Sequence, residues 1–238
     1  VGSEMCIRDS WWHRWLVGNF SKFVYPRAAG LGLRYLDPLP DDESAKLLGL
    51  VTSLPFQSRT DGFLFAGWLV TATVCGALDW RPHCWLTGAA GSGKTTILRR
   101  VVEPLLGDLA INVQSTTTEA GIRQALGQDA RPVMFDEAEP QGDKGKTRME
   151  GVLELARVSS RETGGMVLKG TAGGSALGFK IRSSFLFSSI AVSVKYQADQ
   201  GRITVLELLP QSQRRPLPGD WIRATVEKTE WCDRWRAR

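Results

Sequence analysis

The sequence predicts an α/β fold of three layers, in which a mostly parallel sheet lies between helices. From His83 onward, strand-like and helix-like runs alternate, as they do when helical crossovers connect parallel strands. A glycine-rich loop joins one buried strand to a helix, a connection that binds phosphate groups in many such folds. With 238 residues, 42% of them hydrophobic, the chain can bury the core of one such domain and a small flanking segment.

The chain divides into four segments. Residues 1–10 resemble the translation of a transposon-type sequencing-library adapter and are excluded from fold reasoning, with a genuine N-terminal peptide as the alternative. Residues 11–60 are interpreted as the remnant of an upstream region and a linker, with a small helical segment at 42–54. Residues 61–210 hold the predicted α/β domain. Residues 211–238 form a C-terminal helical segment that is expected to be truncated.

Residues 63–78 form the most apolar stretch of the chain and are predicted to be a buried core helix. Asp61 is its predicted cap, and the sequence at 79–82 breaks it. The stretch is shorter than a bilayer-spanning helix and contains Thr71 and Thr73, so no membrane segment is predicted.

The net charge and the cysteines limit which binding partners and which cellular compartment the sequence predicts. The net charge of +5 is compatible with a polyanionic partner but does not require one. Cys75 and Cys84 lie in apolar runs and are predicted to be buried thiols, which favours a reducing, cytoplasmic location. His13 and His83 have no companions at metal-ligand spacing.

Residues 88–95 fill every fixed position of the phosphate-binding loop pattern. A short buried strand at 83–87 precedes the loop, and a helix at 96–102, ended by Pro104, is predicted to follow it. The alternative is a glycine-rich turn without a ligand. The predicted nucleotide-binding residues are Gly88, Ala89, Ala90, Gly91, Ser92, Gly93, Lys94, Thr95 and Thr96.

Each residue type in this loop has a physical task. Glycines allow consecutive backbone N–H groups to turn inward around a phosphate, and the helix N-terminus adds partial positive charge. Lys94 reaches the β- and γ-phosphates, and the Thr95 hydroxyl is a ligand for Mg²⁺. The sequence therefore predicts a site for ATP and Mg²⁺.

Further elements follow the loop at regular intervals. Thr118 is predicted to cap one helix, and residues 164–179 are predicted to form a β-hairpin or a mobile loop. The remaining predicted strands are 110–114, 131–136, 203–208 and the apolar strand Phe185-Leu186-Phe187, which lies within residues 182–194. The remaining predicted helices are 118–126 and 146–159.

A second acidic motif lies about forty residues beyond the loop. The apolar strand at 132–137 ends in the adjacent carboxylates Asp136 and Glu137. In ATPases with this loop, the strand beside the loop strand ends this way. Asp136 then holds Mg²⁺ together with Thr95, and Glu137 polarises the water that attacks the γ-phosphate. The alternative is a strand end with solvated acids.

The order of these parts resembles the ATPase domain of phage- and plasmid-type primase–helicases, which are related to the superfamily-three helicases. The resemblance covers residues 62–209. In that family a basic segment with a Thr-Gly-Gly-Asp-like core follows the acidic strand. Residues 169–175 are similar, with Ala172 inserted and Ser175 in place of the acid. The strand at 185–189 ends in serines where the family usually has a sensor asparagine, and residues 199–205 match an arginine followed by a strand.

This resemblance implies an AAA+-like P-loop NTPase fold that hydrolyses ATP with Mg²⁺ and moves along DNA as a homo-oligomeric ring. It places Ser188, or Ser189, as a candidate sensor of the γ-phosphate, although a small residue at a strand end explains these serines nearly as well. Arg202 is the candidate arginine finger acting on the adjacent subunit, with Arg161 and Arg182 as rivals and an ordinary surface arginine as the alternative.

Two lysines flank the glycine-rich segment after the acidic strand. Lys169 and Lys180 are candidates for contacts with the phosphates of single- or double-stranded DNA, and an ordinary exposed hairpin is the alternative. Two other functions stay open for the chain: an ATPase that acts on protein or as a regulatory switch, and a nucleotide-binding module without catalysis.

Overall fold

The computed structural model describes the chain from β-strand 18–20 to residue 236, with gaps. The described residues are 18–20, 23–25, 37, 39–127, 129–139, 142–161, 167–170, 176–193, 197–213, 216 and 218–236. The proposed adapter sequence at 1–10 and residues 171–175 of the Thr-Gly-Gly-Asp-like segment lie outside the described residues.

Strands and helices alternate through most of the described chain. A π-helical turn, Leu98–Val102, joins the helix Lys94–Ile97 to the helix Glu103–Leu106. The elements are β1 (Gly18–Phe20), β2 (Phe23–Tyr25), α1 (Asp41–Thr52), α2 (Arg59–Thr73), β3 (His83–Thr87), α3 (Lys94–Ile97), α4 (Glu103–Leu106), β4 (Ile111–Gln114), α5 (Glu119–Leu126), β5 (Val133–Asp136), α6 (Gly142–Ser159), β6 (Val167–Gly170), β7 (Ala176–Phe179), β8 (Phe185–Ser189), α7 (Gln197–Gln200), β9 (Ile203–Glu207), α8 (Gly219–Ala224) and α9 (Thr229–Arg236).

Five strands form one parallel sheet in the order β4-β5-β8-β3-β9. Strand β3 lies between β8 and β9, with Trp85 opposite Phe187 on one side and Val205 on the other. The predicted parallel α/β architecture is therefore confirmed. β6 and β7 pair antiparallel, as the hairpin prediction for 164–179 requires.

The two faces of the sheet bury separate hydrophobic clusters because successive side chains of a strand point to opposite sides. On one face, Cys84 and Leu86 of β3 pack in a cluster with residues of α1, α2, the helix after the glycine loop, α8 and α9. On the other face, Trp85 packs in a cluster with residues of α5 and α6. The molecule thus has the three layers that the sequence predicts.

Helix α2 differs from the prediction in its cap and in its burial. The hydroxyl of Ser58, not Asp61, caps the helix and accepts a hydrogen bond from the N–H of Thr60 at 3.1 Å. Trp68 is buried, as expected for a core residue, but the opposite face of the helix is exposed at Phe63 and Val70. Apolar side chains therefore lie on both the buried and the exposed face of this helix.

Pro104 does not end the helix that follows the glycine loop, so that prediction is wrong. The helix continues from Lys94 to Leu106 through the π-helical turn. Proline has no N–H to donate, and its ring clashes with the carbonyl four residues earlier in an α-helix. In the wider turn, the N–H of Glu103 donates to the carbonyl of Leu98, five residues earlier, so the chain passes the proline without a break.

Other boundaries agree with the prediction or differ by about one turn. The Thr118 hydroxyl accepts from the N–H of Gly121 at 3.2 Å, which confirms the predicted cap of α5. Helix α6 begins at Gly142, four residues before the predicted start at 146.

Cys75 and Cys84 are buried free thiols. Among the residues that the structure describes, no helix has the length and apolarity that crossing a membrane requires.

Candidate functional site

The carboxyl ends of three parallel strands meet at one edge of the sheet, and the predicted site residues lie there. The glycine loop, defined as residues 88–95, follows β3, Ser188 lies near the end of β8, and Asp136 is the last residue of β5. The sequence predicts β5 directly beside β3, and this prediction is wrong because β8 lies between the two strands. The sequence pattern indicates which strand ends in acids but not which strands pair.

The glycine loop turns sharply at its start. Gly88 has φ 150°, and a Cβ there would lie 3.1 Å from the carbonyl oxygen of Leu208, so a side chain would have no room. Gly91 and Gly93 also have positive φ angles. Gly88 and Ser92 are buried, Gly93, Lys94 and Thr96 are half-buried, and the exposed members are Ala89, Ala90, Gly91 and Thr95.

The Lys94 side chain folds back over the loop. Its ammonium donates to the carbonyl oxygens of Gly88 at 2.6 Å and Ala89 at 3.1 Å, and lies 3.4 Å from the Ser92 hydroxyl. Partial burial lowers the pKa of Lys94, while the negative charges of Glu139 and Asp136 act in the opposite direction. The loop therefore presents its lysine close to two carboxylates from the end of β5.

Strand alternation places Asp136 on the same face of the sheet as the loop helix. Met134 and Leu186 belong to the hydrophobic cluster that includes Ile97, at the end of α3. Asp136 is two residues beyond Met134, and Ser188 is two residues beyond Leu186, so both side chains start on that face. This agrees with the electrostatic effect of Asp136 on the loop lysine.

Glu137 is exposed and has an unusual backbone conformation. Its φ of 54° is the one positive value at a non-glycine residue within the described part of the chain. The N–H of Glu137 donates to the Asp136 carboxylate at 3.0 Å. A strained backbone at a non-glycine residue is found most often where function requires it. The strained residue, Glu137, directly follows the last residue of β5, at the point where the chain leaves the sheet.

Glu139 is a site residue that the sequence analysis missed. It is half-buried, and its carboxylate accepts a hydrogen bond from the N–H of Ile190. Its position three residues after Asp136 was the available signal, but its contact with Ile190 depends on strand order.

The two serines at the end of β8 have different surroundings. The Ser189 hydroxyl accepts from the indole N–H of Trp85 at 2.7 Å and donates to the carbonyl of Ala191 at 2.6 Å. It is therefore occupied within the core. Ser188 is 2% exposed, and its hydroxyl makes no hydrogen bond within the described residues. Ser188 is the better placed of the two for a ligand at this edge.

Thr95 and Asp136 fit the predicted Mg²⁺ site in their chemistry. The Thr95 side chain is exposed in the first turn of α3, and Asp136 is half-buried on the same face of the sheet. One Asp136 oxygen accepts the neighbouring N–H, which leaves the second oxygen for a cation. Hydroxyl and carboxylate oxygens are ligands that Mg²⁺ uses alongside phosphates and water. No cluster of three or more His, Cys, Asp or Glu side chains suited to a metal occurs in the described ranges.

The candidate arginines lie near the amino ends of the strands, away from the carboxyl ends that carry the glycine loop. Arg202 immediately precedes β9, its guanidinium donates to the Ser160 hydroxyl at 3.2 Å, and it lies 5.9 Å from the ring centre of Trp80. Arg161 lies 5.3 Å from the same ring centre, and Arg182 precedes β8. The structure does not bring these arginines to the glycine loop of the same chain, and their predicted action on an adjacent subunit stays a prediction.

The candidate DNA-binding lysines lie on and beside the β6–β7 hairpin. Lys169 is a residue of β6, opposite Leu177 of β7, and its side chain lies outside the described residues. Lys180 follows β7 and is exposed. Their predicted contact with DNA also stays a prediction.

Comparison with known proteins gives structural likenesses but no match to a family. No protein-family model matches the chain, and no curated protein matches it. Among solved structures, the apo structure of the NrS-1 C-terminal region (305–718) matches with a TM-score of 0.46 and 14% identity over 87% of this chain. Another apo structure of that region, described as its A form, matches with a TM-score of 0.49 and 15% identity. This chain covers 48% and 47% of those chains, so it spans about half the length of that region. Both likenesses are too distant to assign a family or a function.

Proposed function

We propose that this chain is the ATP-binding and ATP-hydrolysing part of a phage-like DNA primase–helicase, and that it couples hydrolysis to movement on DNA. The observation that carries the proposal is the meeting of the glycine loop, Ser188 and Asp136 at one edge of the sheet. A phosphate-binding loop, a metal-ligand pair and an acidic turn at the same edge are the parts that ATP hydrolysis requires.

In the proposed reaction, the loop binds the phosphates through its backbone N–H groups. Lys94 exchanges its contacts with the carbonyls of Gly88 and Ala89 for oxygens of the β- and γ-phosphates, which are stronger acceptors. Thr95 and Asp136 hold Mg²⁺, which neutralises phosphate charge when bound.

The same edge offers a residue for the attacking water. Glu137 is exposed beside Asp136, so its carboxylate can accept a hydrogen bond from a water molecule above the γ-phosphate. The water oxygen bonds to the γ-phosphorus, and the proton that the water loses passes to the Glu137 carboxylate. The bond from that phosphorus to the bridging oxygen breaks, and ADP leaves with the bond electrons. Ser188, which has a free hydroxyl among the described contacts, is the candidate donor to the γ-phosphate.

Two substitutions test the assigned chemistry. Lys94→Ala is expected to weaken ATP binding by a hundredfold or so, because a charge-assisted contact with the phosphates is lost. Glu137→Gln is expected to retain ATP binding and to lower turnover on the order of a hundredfold, because the amide cannot accept a proton. Calorimetric binding and phosphate release measure the two effects. Equal turnover in Glu137→Gln and the parent would overturn the role of Glu137.

The DNA part of the proposal has its own experiment. ATP turnover is measured with and without single-stranded DNA, on protein whose assembly state is checked by sedimentation. We expect DNA to raise the rate, since a motor couples hydrolysis to its track. An unchanged rate in an assembled protein would favour the ATPase that acts on protein or as a switch. ATP binding without any turnover in the parent would favour the module without catalysis.

A further inference from the structure

An exposed tryptophan and two arginines meet near the amino ends of β3 and β9. Trp80 is 42% exposed, although it directly precedes the buried part of the chain that leads into β3. The guanidinium of Arg161 lies 5.3 Å from the centre of its ring, and that of Arg202 lies 5.9 Å from it. At both distances an aromatic ring attracts a cation. We call Trp80, Arg161 and Arg202 the indole–arginine cluster.

Hydrogen bonds fix the backbone beneath the indole–arginine cluster. Trp80 and Arg161 form an antiparallel bridge. The N–H of Arg81 donates to the carbonyl of Ser160 at 2.8 Å, and the buried guanidinium of Arg81 donates to the carbonyl of Ser159 at 2.7 Å. The segment before β3 is therefore tied to the end of α6. Because the backbone is already ordered, a ligand that binds here has little ordering to impose.

Two members of the cluster have hydrogen-bond donors that the described residues do not use. Arg161 is exposed, and its guanidinium donates to no residue that the structure describes. The indole N–H of Trp80 likewise has no acceptor within the described ranges. Asp79 is exposed at the preceding position, and no ion pair joins it to either arginine in the part of the chain that is described. The cluster thus offers a ring surface together with a cation that has unused donors.

We propose that the indole–arginine cluster binds single-stranded nucleic acid, with a base stacked on the ring of Trp80 and a phosphate bound by the guanidinium of Arg161. This inference rests on the DNA part of the proposed function. Aromatic side chains stack on unpaired bases of any sequence, and a guanidinium donates to two phosphate oxygens at once. A duplex cannot use the ring in this way, because its bases are already stacked on one another. The exposed ring also favours a base over the phosphates of a nucleotide on a second copy, since those need the guanidinium alone.

Binding of a fluorescein-labelled oligothymidine, followed by anisotropy without ATP, tests the ring. We expect Trp80→Ala and Trp80→Leu to weaken binding on the order of tenfold, and Trp80→Phe to stay within about threefold of the parent, because only Phe keeps a flat ring. Trp221→Ala is the matched control. Trp221 is 51% exposed on α8, and no arginine lies over its ring among the described residues, so we expect an affinity within about twofold of the parent. Melting temperatures show that each variant is folded.

The same oligothymidine annealed to its complement separates stacking from charge. We expect Trp80→Ala to bind this duplex within about twofold of the parent, because paired bases do not reach the ring. A loss on the duplex as large as that on the single strand would overturn the stacking of a base on Trp80.

Arg161→Gln tests the phosphate contact through its salt dependence. For a single strand, the slope of the logarithm of the association constant against the logarithm of the salt concentration changes by about 0.7 for each phosphate that is neutralised. We expect Arg161→Gln to lower the magnitude of this slope by about 0.7, and Trp80→Ala to leave it unchanged. Arg223→Gln is the control, because Arg223 is exposed on α8 and pairs with Asp220. An equal change of slope in Arg161→Gln and Arg223→Gln would overturn the phosphate contact.

The outcomes distinguish this inference from the function on which it rests. A parent that does not bind the oligothymidine overturns the DNA part of the proposed function, and this inference with it. A parent that binds, with the same affinity in Trp80→Ala and Trp80→Leu or with an equal loss in Trp221→Ala, overturns the role of the cluster alone. If the variants change the sedimentation of the protein without DNA and leave its affinity for DNA unchanged, the cluster is a contact between copies of the chain, and the inference is wrong.

Discussion

Two adjacent serines at the end of β8 are expected to respond differently to the same substitution. Ser189→Ala leaves the buried indole N–H of Trp85 without its acceptor, which is expected to lower the free energy of unfolding by about 1–3 kcal/mol. Ser188→Ala removes a hydroxyl that has no partner among the described residues, from a residue that is 2% exposed, so its effect on stability is expected to be within about 0.5 kcal/mol. Urea unfolding measures both.

The pair also tests the sensor assignment. If Ser188 contacts the γ-phosphate, Ser188→Ala lowers ATP turnover although its stability is unchanged. Full turnover in Ser188→Ala would remove the serine from the reaction. A stability loss in Ser188→Ala as large as that in Ser189→Ala would contradict the described hydrogen bonds.

His83 at the amino end of β3 makes the fold sensitive to acid. Its Nε2 donates to the carbonyl of Ala156 at 2.7 Å, and its Nδ1 accepts the N–H of Phe185 at 3.1 Å, which requires a neutral ring. Complete burial is the main cause that lowers the pKa of His83 to about 4. The unfolded chain binds the proton more readily, so stability that is complete above the ordinary pKa of His is lost as the pH falls toward 4.

The size of this effect is measurable. Between pH 7 and pH 5, the parent is expected to lose about 2 kcal/mol of unfolding free energy through His83. In His83→Gln, an amide can still donate to Ala156, but no proton is bound, so this part of the pH dependence should disappear. Urea unfolding of both proteins at the two pH values checks the prediction. An equal loss in both would mean that other groups cause the acid sensitivity.

At the scale of elements, the start of helix α2 has two candidate capping residues, Ser58 and Asp61. Ser58→Ala is expected to cost about 1 kcal/mol, because the N–H of Thr60 loses its acceptor. Asp61→Ala is expected to cost less, since Asp61 lies inside the first turn and is placed to interact with the helix dipole. Urea unfolding compares the two variants. A larger loss in Asp61→Ala would restore Asp61 as the cap.

The sequence predicted the type of most described elements but not all of their limits. The sequence predicted β3, β5 and β8 as short apolar runs, because these strands are buried on both faces, whereas β9 has buried and exposed residues. The cap of α2 was misplaced because Ser58 and Asp61 are both good capping residues three positions apart. Passage through Pro104 was unpredictable from local rules, since a π-helical turn is stabilised by packing against the core and not by propensity.

At the scale of the whole molecule, hydrogen bonds join helix α9 to helix α4, which continues the helix after the glycine loop. The guanidinium of Arg236 donates to the carbonyls of Pro104 at 3.0 Å and Leu105 at 2.8 Å, and pairs with Asp233. Trp235 of the same helix lies in the cluster that contains Leu105. Residues 229–236 therefore share the core of the α/β layers.

Arg236→Ala is expected to lower the free energy of unfolding by about 2–3 kcal/mol, because two carbonyls and the Asp233 carboxylate lose their partner in a nearly buried place. Arg234→Ala is the matched control on the same helix. Its guanidinium bonds to the carbonyl of Asp37 in an exposed position, so we expect a loss below about 1 kcal/mol. Equal losses would contradict the contribution of Arg236.

Strand order was the part of the whole fold that was predicted wrongly from the sequence. The acidic motif correctly indicated a strand end near the loop. The insertion of β8 between β3 and β5 depends on pairing with residues about a hundred positions away in β3 and about fifty away in β5. The contact of Ile190 with Glu139 follows from that insertion, and so Glu139 was missed as a site residue.

The position of the arginines has a consequence for mixtures of variants. Arg202 and the glycine loop lie at opposite ends of paired strands, and the five residues of β3 separate them by about 16 Å. If Arg202 acts on the nucleotide bound by the adjacent subunit, a chain with a defective loop can still supply Arg202 to the site of its neighbour. Mixing Lys94→Ala chains with Arg202→Ala chains is therefore expected to recover turnover that neither shows alone, by complementation between subunits.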